Sequence, residues 1–225
     1  MSRALIEDYL NTQGMRLSIE AVQIAYLTLG TVYQMAKPDN LPENLWQSDD
    51  QHAFEAVKVL PQTPENDALL RSVYAVLDSV FERFPAKVAW YVLQPQSEVL
   101  QMHRYWHNAC PLPASLQEGG SQDDLLHRVA QTGWAQVIDD AKRWVDLGQM
   151  TQAQSHVGLS QMWWPLTAPS GAVLGVLSVS SPEASAFDEQ AQAWWLAAAL
   201  TVADALYSVL PSENGKEDES DVSIG

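Results

Sequence analysis

The sequence predicts an α/β chain of the α+β kind: an antiparallel sheet of about six strands flanked by helices, with an added helical region ahead of it. Three observations carry this. Ser160 to Ser180, SQMWWPLTAPSGAVLGVLSVS, reads as two strands around a turn. Lys87 to Leu93 and Glu98 to Trp106 read as a second strand pair around Gln94-Pro95-Gln96-Ser97. Segments 64–84 and 185–210 are apolar at helical spacing or nearly all round, as helices packed on a sheet are.

The elements follow in chain order. Ser2 can cap a short helix that runs to Thr12 and stops near Gly14. Ser18 can cap the next, with Leu17 and Val22 at the two positions of a hydrophobic staple. In that helix Met15, Ile19, Val22, Tyr26, Leu29, Tyr33 and Ala36 keep an alternating four- and three-residue spacing. Such a seam suits helix–helix packing, either on the chain's own core or between two copies. Ile24, Leu27 and Val32 lie outside the seam and are expected to widen its apolar face. Lys37-Pro38 ends the helix, Asp39 to Asp50 is a loop, and Gln51 to Leu60 reads as another short helix.

Pro61 to Pro64 is the best boundary in the chain. Thr63 caps a helix with Pro64 at its first position, where a missing N–H costs nothing. Leu69, Leu70, Val73, Val76, Leu77, Val80, Phe81 and Phe84 then recur at helical spacing. In the strand that follows, Val88, Trp90 and Val92 share one face. Asn108 to Gly120 is a Pro/Gly loop, and Ser121 with Asp124 starts a helix that stops at Gly133. Trp134 to Asp139 is a short strand. Asp140 to Val157 is irregular, with one or two helical turns around Trp144.

In Ala172 to Ser180 the apolar residues run almost without a polar break, so the strand needs cover on both faces. Helices supply one cover; the segment Asp140–Val157 is expected over the other. Gly175 sits mid-strand, which suits close packing against a helix or a molecule lying over the gap. Ser185, with Asp188 three residues on, is expected to cap the last helix. From Gln190 to Leu210 its one charged residue is Asp204, which reads as a buried helix; a carboxylate within a membrane span would cost about 2.5–3.5 kcal/mol. The tail SENGKEDESDVSIG is acidic and reads as disordered. The resulting division is a helical extension at 1–62, a domain at 63–210 and a tail at 211–225.

Composition bounds the function. The 225 residues are 47% hydrophobic, enough for a real core, and carry 28 acidic against 12 basic residues, a net charge of −16. That balance argues against nucleic-acid backbones and anionic membranes as partners. The single cysteine, Cys110, excludes an internal disulfide. The first ten residues carry early acids and no long apolar run, so a cytoplasmic protein is expected.

The chain resembles the GAF domain family over about residues 65–210. The residues that carry the likeness are Trp164-Pro165-Leu166, Gly171, Val173-Leu174-Gly175-Val176-Leu177, Phe187-Asp188 and the apolar run Leu196 to Leu206. Upstream, Leu125 to Gly133 followed by Val137-Ile138-Asp139-Asp140 resembles the family's helix, Gly stop, short strand and Asp. The resemblance implies a GAF/PAS-like sheet flanked by helices, a regulatory or sensory role, and pairing through helices at the chain ends. It does not carry over the family's chemistries. GAF-like methionine sulfoxide reductases use cysteine pairs, and this chain has one cysteine. GAF-like bilin carriers hold pigment at a loop cysteine beside His, whereas Ala109 and Pro111 flank Cys110. Phe187-Asp188-Glu189 lacks the Asn-Lys that precedes the corresponding run in cyclic-nucleotide-binding members.

The candidate sites are these. His103, His107 and Cys110 have a spacing that could suggest a metal, but strand residues four apart lie about 13 Å apart, too far to share one zinc. No metal site and no named cofactor are expected. Nine tryptophans need explaining. Trp163 and Trp164 are adjacent on a strand and must point to opposite faces. Trp90, Trp134, Trp144 and Trp164 could converge on an aromatic pocket with Asp139 or His156 as polar anchor; an aromatic core without an opening is the other reading. Ile19, Val22, Tyr26, Leu29 and Tyr33 are the expected dimer contacts. The expectation is thus a non-enzymatic regulatory module that binds a small molecule or a separate protein partner and signals through helices, as a homodimer. A dimerisation module with a closed pocket is the alternative.

Overall fold

The structure, a computed structural model, describes residues 1–36, 61–93, 100–103, 125–155 and 157–209. The helix expected at Gln51–Leu60, the loop Asn108–Gly120, the cap Ser121, His107, Cys110, His156 and the tail 211–225 lie outside these residues.

Among the described residues, seven helices and five strands follow in the order α1 (Arg3–Thr12), α2 (Ile19–Met35), α3 (Pro64–Phe81), β1 (Lys87–Leu93), β2 (Leu100–His103), α4 (Leu125–Thr132), β3 (Gln136–Ile138), α5 (Ala141–Asp146), α6 (Gln152–Ser155), β4 (Ser160–Thr167), β5 (Val173–Ser181) and α7 (Glu189–Tyr207). The strands form one antiparallel sheet in the order β2-β1-β5-β4-β3, so among the described residues it has five strands rather than six.

Local chemistry sets most boundaries. Ser2, Ser18 and Thr63 each accept a backbone N–H of the first turn they precede, as N-caps do. Gly171 takes a φ of +87° in the β4–β5 turn, where a side chain would be strained. The last helix departs from expectation. Asp188, not Ser185, caps it, accepting from Ala191 N at 2.8 Å. Ser185 instead has a φ of +54° and donates its N–H to Asp139 O at 2.7 Å. Both residue types can cap a helix; that long-range hydrogen bond holds Ser185 in a bend ahead of the first turn.

The sheet divides the interior. Alternation puts Val88, Trp90 and Val92 of β1, Met162, Trp164 and Leu166 of β4, and Leu177 and Val179 of β5 on a first face. There α7 packs on β4 and β5 while α2 and α3 pack on α7. The second face carries Ala89, Tyr91, Trp163, Val176 and Ile138 beneath Leu125, Leu126 and Val129 of α4. Ala141 and Met150, with Trp144, Val145 and Val157 partly buried, complete that cover, so segment 140–157 lies where expected and shares the face with α4.

Two expectations are corrected here. Gly175 faces neither a helix nor a gap: a Cβ there would collide with the backbone carbonyl of Tyr91, on the neighbouring strand. The helix seam is filled within the chain. Val22 and Leu29 are fully buried, and Ile19, Tyr26 and Tyr33 pack partly buried against the same core. Because α7 is apolar all round, its side away from the sheet needs a cover, and α2 supplies it. The five positions therefore form no free dimer face. Ile24 and Leu27, rather than widening the seam, point to solvent.

Candidate functional site

The expected aromatic pocket does not assemble. Trp90 and Trp164 are buried on the first face, within the core around α7. Trp144 packs on the second face, so the sheet itself separates it from them. Trp134 is half-exposed in the turn after α4. Asp139 directly follows β3 with an exposed side chain, and its backbone carbonyl accepts from Ser185 N and from Ser160 Oγ at 3.1 Å. His156 is outside the described residues. The side chain of His103 is too, and among the described residues no three His, Cys, Asp or Glu side chains gather as a metal ion requires.

Two other features have the makings of a site. The first is a polar floor on the second face. Gln161 is fully buried, and its Nε2 donates to the carbonyls of Gln154 and Gly158, both at 2.9 Å. Its Oε1 accepts from the indole Nε1 of Trp163 at 3.1 Å. Ser178 and Ser180 of β5 are also buried there. Gln161 thereby ties α6 and the loop after it to the start of β4, with both amide N–H groups and the oxygen paired rather than left with a costly unmade bond.

The second feature is an open cleft of about 450 Å³ where α1 meets the end of α4, the β4–β5 turn and α7. Leu5, Asp8 and Tyr9 form one wall, Trp134 another, Pro169 the rim, and Asp204 of α7 one end. Gln13 fixes the walls to each other. Its Nε2 donates to Gly133 O at 2.8 Å, and its Oε1 accepts from Ala135 N at 2.7 Å. Behind Asp204, the Tyr26 hydroxyl donates to the carboxylate and accepts from the α-ammonium of Met1 at 2.8 Å. Burial, and then the Asp204 carboxylate beside it, push the Tyr26 hydroxyl well above its ordinary pKa; burial alone does the same to Tyr9. Both remain protonated at any physiological pH, and of the two only Tyr26 donates to a partner among the described residues. Of the cleft residues, the sequence pointed only to Trp134. Asp204 stood out only as the lone charge from Gln190 to Leu210, and Gln13 carries no local signal because it meets its partners across 120 and 122 positions.

No protein-family model matches the chain, and no curated protein does. Solved structures do. A protein of Burkholderia vietnamiensis described as a GAF sensor aligns over 84% of this chain and 98% of its own, with a TM-score of 0.51 and 16% identity. The GAF domain region of a Geobacter sulfurreducens membrane protein aligns over 64% of this chain and 97% of its own, with a TM-score of 0.54 and 17% identity. The type II free methionine-R-sulfoxide reductase of Thermoplasma acidophilum aligns over 67% and 99%, with a TM-score of 0.53 and 15% identity. At such identities the likeness is one of fold. The chain is an α+β module with the GAF fold, a fold that carries both sensors and enzymes. Among its described residues no helix is long and apolar enough to cross a membrane.

Proposed function

We propose that this chain is a non-enzymatic, cytoplasmic regulatory module that binds a small molecule or a protein partner and passes its state on through its helices. The observation that carries this is the make-up of the cleft. Its walls belong to α1, to the turns at one end of the sheet and, through Asp204, to α7. An occupant would touch the N-terminal helix and the central buried helix together. α7 lies against both the sheet and α2, so a small shift at Asp204 has rigid neighbours on either side to push.

The reductase activity of fold neighbours does not extend to this chain in our reading, because a single cysteine cannot form the intramolecular pair. A second copy of the chain and a separate output protein belong to the same proposal. The exposed Ile24, Leu27 and Met35 of α2 are the apolar positions left for such contacts.

Native mass spectrometry of the protein purified without denaturation tests the reading, since it reports retained ligand and subunit number together. A bound mass released on denaturation, or a stable complex, is expected. A bare monomer that turns over methionine sulfoxide, with turnover lost in Cys110→Ala, would overturn it.

A further inference from the structure

The cleft's lining selects by charge as well as by size. Its volume of about 450 Å³ suits a small organic molecule rather than an ion or a folded segment. Asp8 and Asp204 place two carboxylates on it, and no Lys, Arg or His is among the described residues that line it. The α-ammonium of Met1 offsets one of these charges, leaving the cleft negative. The chain as a whole, at −16, adds a long-range field of the same sign. Trp134 lines the same cleft and is 52% exposed, so its large aromatic surface is open to an occupant. An indole face attracts a cation beyond its apolar area, and the chain already makes one such contact, with the Arg83 guanidinium 4.3 Å from the ring centre of Trp194. An anion would meet two carboxylates. A neutral molecule could gain hydrogen bonds from them but no charge–charge attraction.

Resting on the reading of the chain as a ligand-binding module, we propose that this cleft takes an organic ammonium with a small apolar body. The alkyl groups lie against Trp134 and Leu5, and the positive charge faces Asp8 and Asp204. Such a ligand bridges α1 and α7, which touch the cleft from opposite sides. The site lies outside the two hydrophobic clusters that line the faces of the sheet, apart from Tyr9, whose ring packs on the first.

The test uses choline and its uncharged isostere 3,3-dimethylbutan-1-ol on the full chain. The side-chain N–H signals of the tryptophans in a proton–nitrogen NMR spectrum are the readout, with that of Trp134 assigned by its loss in Trp134→Phe. The Trp134 signal should shift saturably with choline, and the isostere should bind about tenfold more weakly. Asp8→Asn combined with Asp204→Asn should weaken choline several-fold while leaving the other indole signals in place; Asn at 204 can still accept from Tyr26. Equal binding of choline and the isostere, or undiminished binding by the double variant, overturns the cation assignment but leaves a ligand-binding cleft. No saturable shift with either probe overturns the inference at this cleft. The broader reading would then stand or fall on the retained mass alone.

Discussion

On the side of the sheet that meets α7, Trp90, Met162, Trp164, Leu166, Leu177 and Val179 build a floor of apolar side chains, all within 2% of complete burial. On the side that meets α4, the same three strands offer Ala89, Tyr91, Gln161, Trp163, Val176, Ser178 and Ser180. Both faces are buried, but to different ends. The first is a dry core under three long helices, with stability as its product. The second keeps polar groups under a thinner cover of one eight-residue helix and two shorter ones. Burying polar groups costs free energy unless each is paired, and on this face Gln161 is paired with Trp163 and with the carbonyls of Gln154 and Gly158. The difference teaches where this module can give way. Rearranging the first face dismantles the core, whereas rearranging the second exchanges one set of hydrogen bonds for another.

Adjacent residues on β4 break the comparison most sharply. Trp164→Ala should cost about 3–5 kcal/mol, because it opens a cavity in the dry face under α7. The denaturant midpoint should fall accordingly, and a loss below about 1 kcal/mol would mean the first face is not the core. Gln161→Ala, on the other face, should cost about 1–3 kcal/mol by removing the acceptor of the Trp163 indole N–H and one donor each to the carbonyls of Gln154 and Gly158. Its hydrogen exchange should also rise at residues 154–158, an effect Trp164→Ala at equal destabilisation would spread over the whole domain.

The smallest expected effect is one of pH. Tyr9, Tyr26 and Tyr33 all pack against the first cluster, and burial raises each hydroxyl above its ordinary value of 10.0. The folded state then holds its protons more tightly than the unfolded one. This contribution is present in full below pH 10 and is lost as pH rises through the folded values. Urea midpoints should be level through neutrality and decline above pH 10. Tyr26→Phe should make that decline shallower by a modest amount, since Tyr26 is partly solvated. An unchanged slope would remove Tyr26 from the account.

How much was legible in the sequence follows from how local each signal is. The β4–β5 hairpin could be read because turn chemistry and an unbroken apolar run agree within 21 residues, Ser160 to Ser180. Ser2, Ser18 and Thr63 could be read as caps because the partner N–H lies three positions away. The opposite pointing of Trp163 and Trp164 followed from strand geometry. What failed was non-local. Ser185 and Asp188 compete as caps, and a carbonyl 46 positions upstream, that of Asp139, decides between them. The seam from Ile19 to Tyr33 had the right spacing for packing, yet spacing cannot say whose helix fills it. The four tryptophans of the expected pocket had no register to relate them, and the sheet came between. The cleft gathers residues from 1–13, 132–134, 167–171 and 204, a set that only the folded chain assembles.

The clamp made by Gln13 has a further consequence. β3 is the last strand of the sheet on its side, and an outermost strand offers bare N–H and C=O groups to any extended chain that arrives. Next to β3, the carbonyl of Gly133 and the N–H of Ala135 are already taken by the Gln13 amide, which has the donor and acceptor of a peptide group but cannot be extended. The residue that ends the N-terminal helix thus occupies the two backbone groups just ahead of β3. A chain that lost its first 13 residues would free both groups and would also strip Ile6 and Leu10 from the core, so the clamp and the packing beneath it would go together.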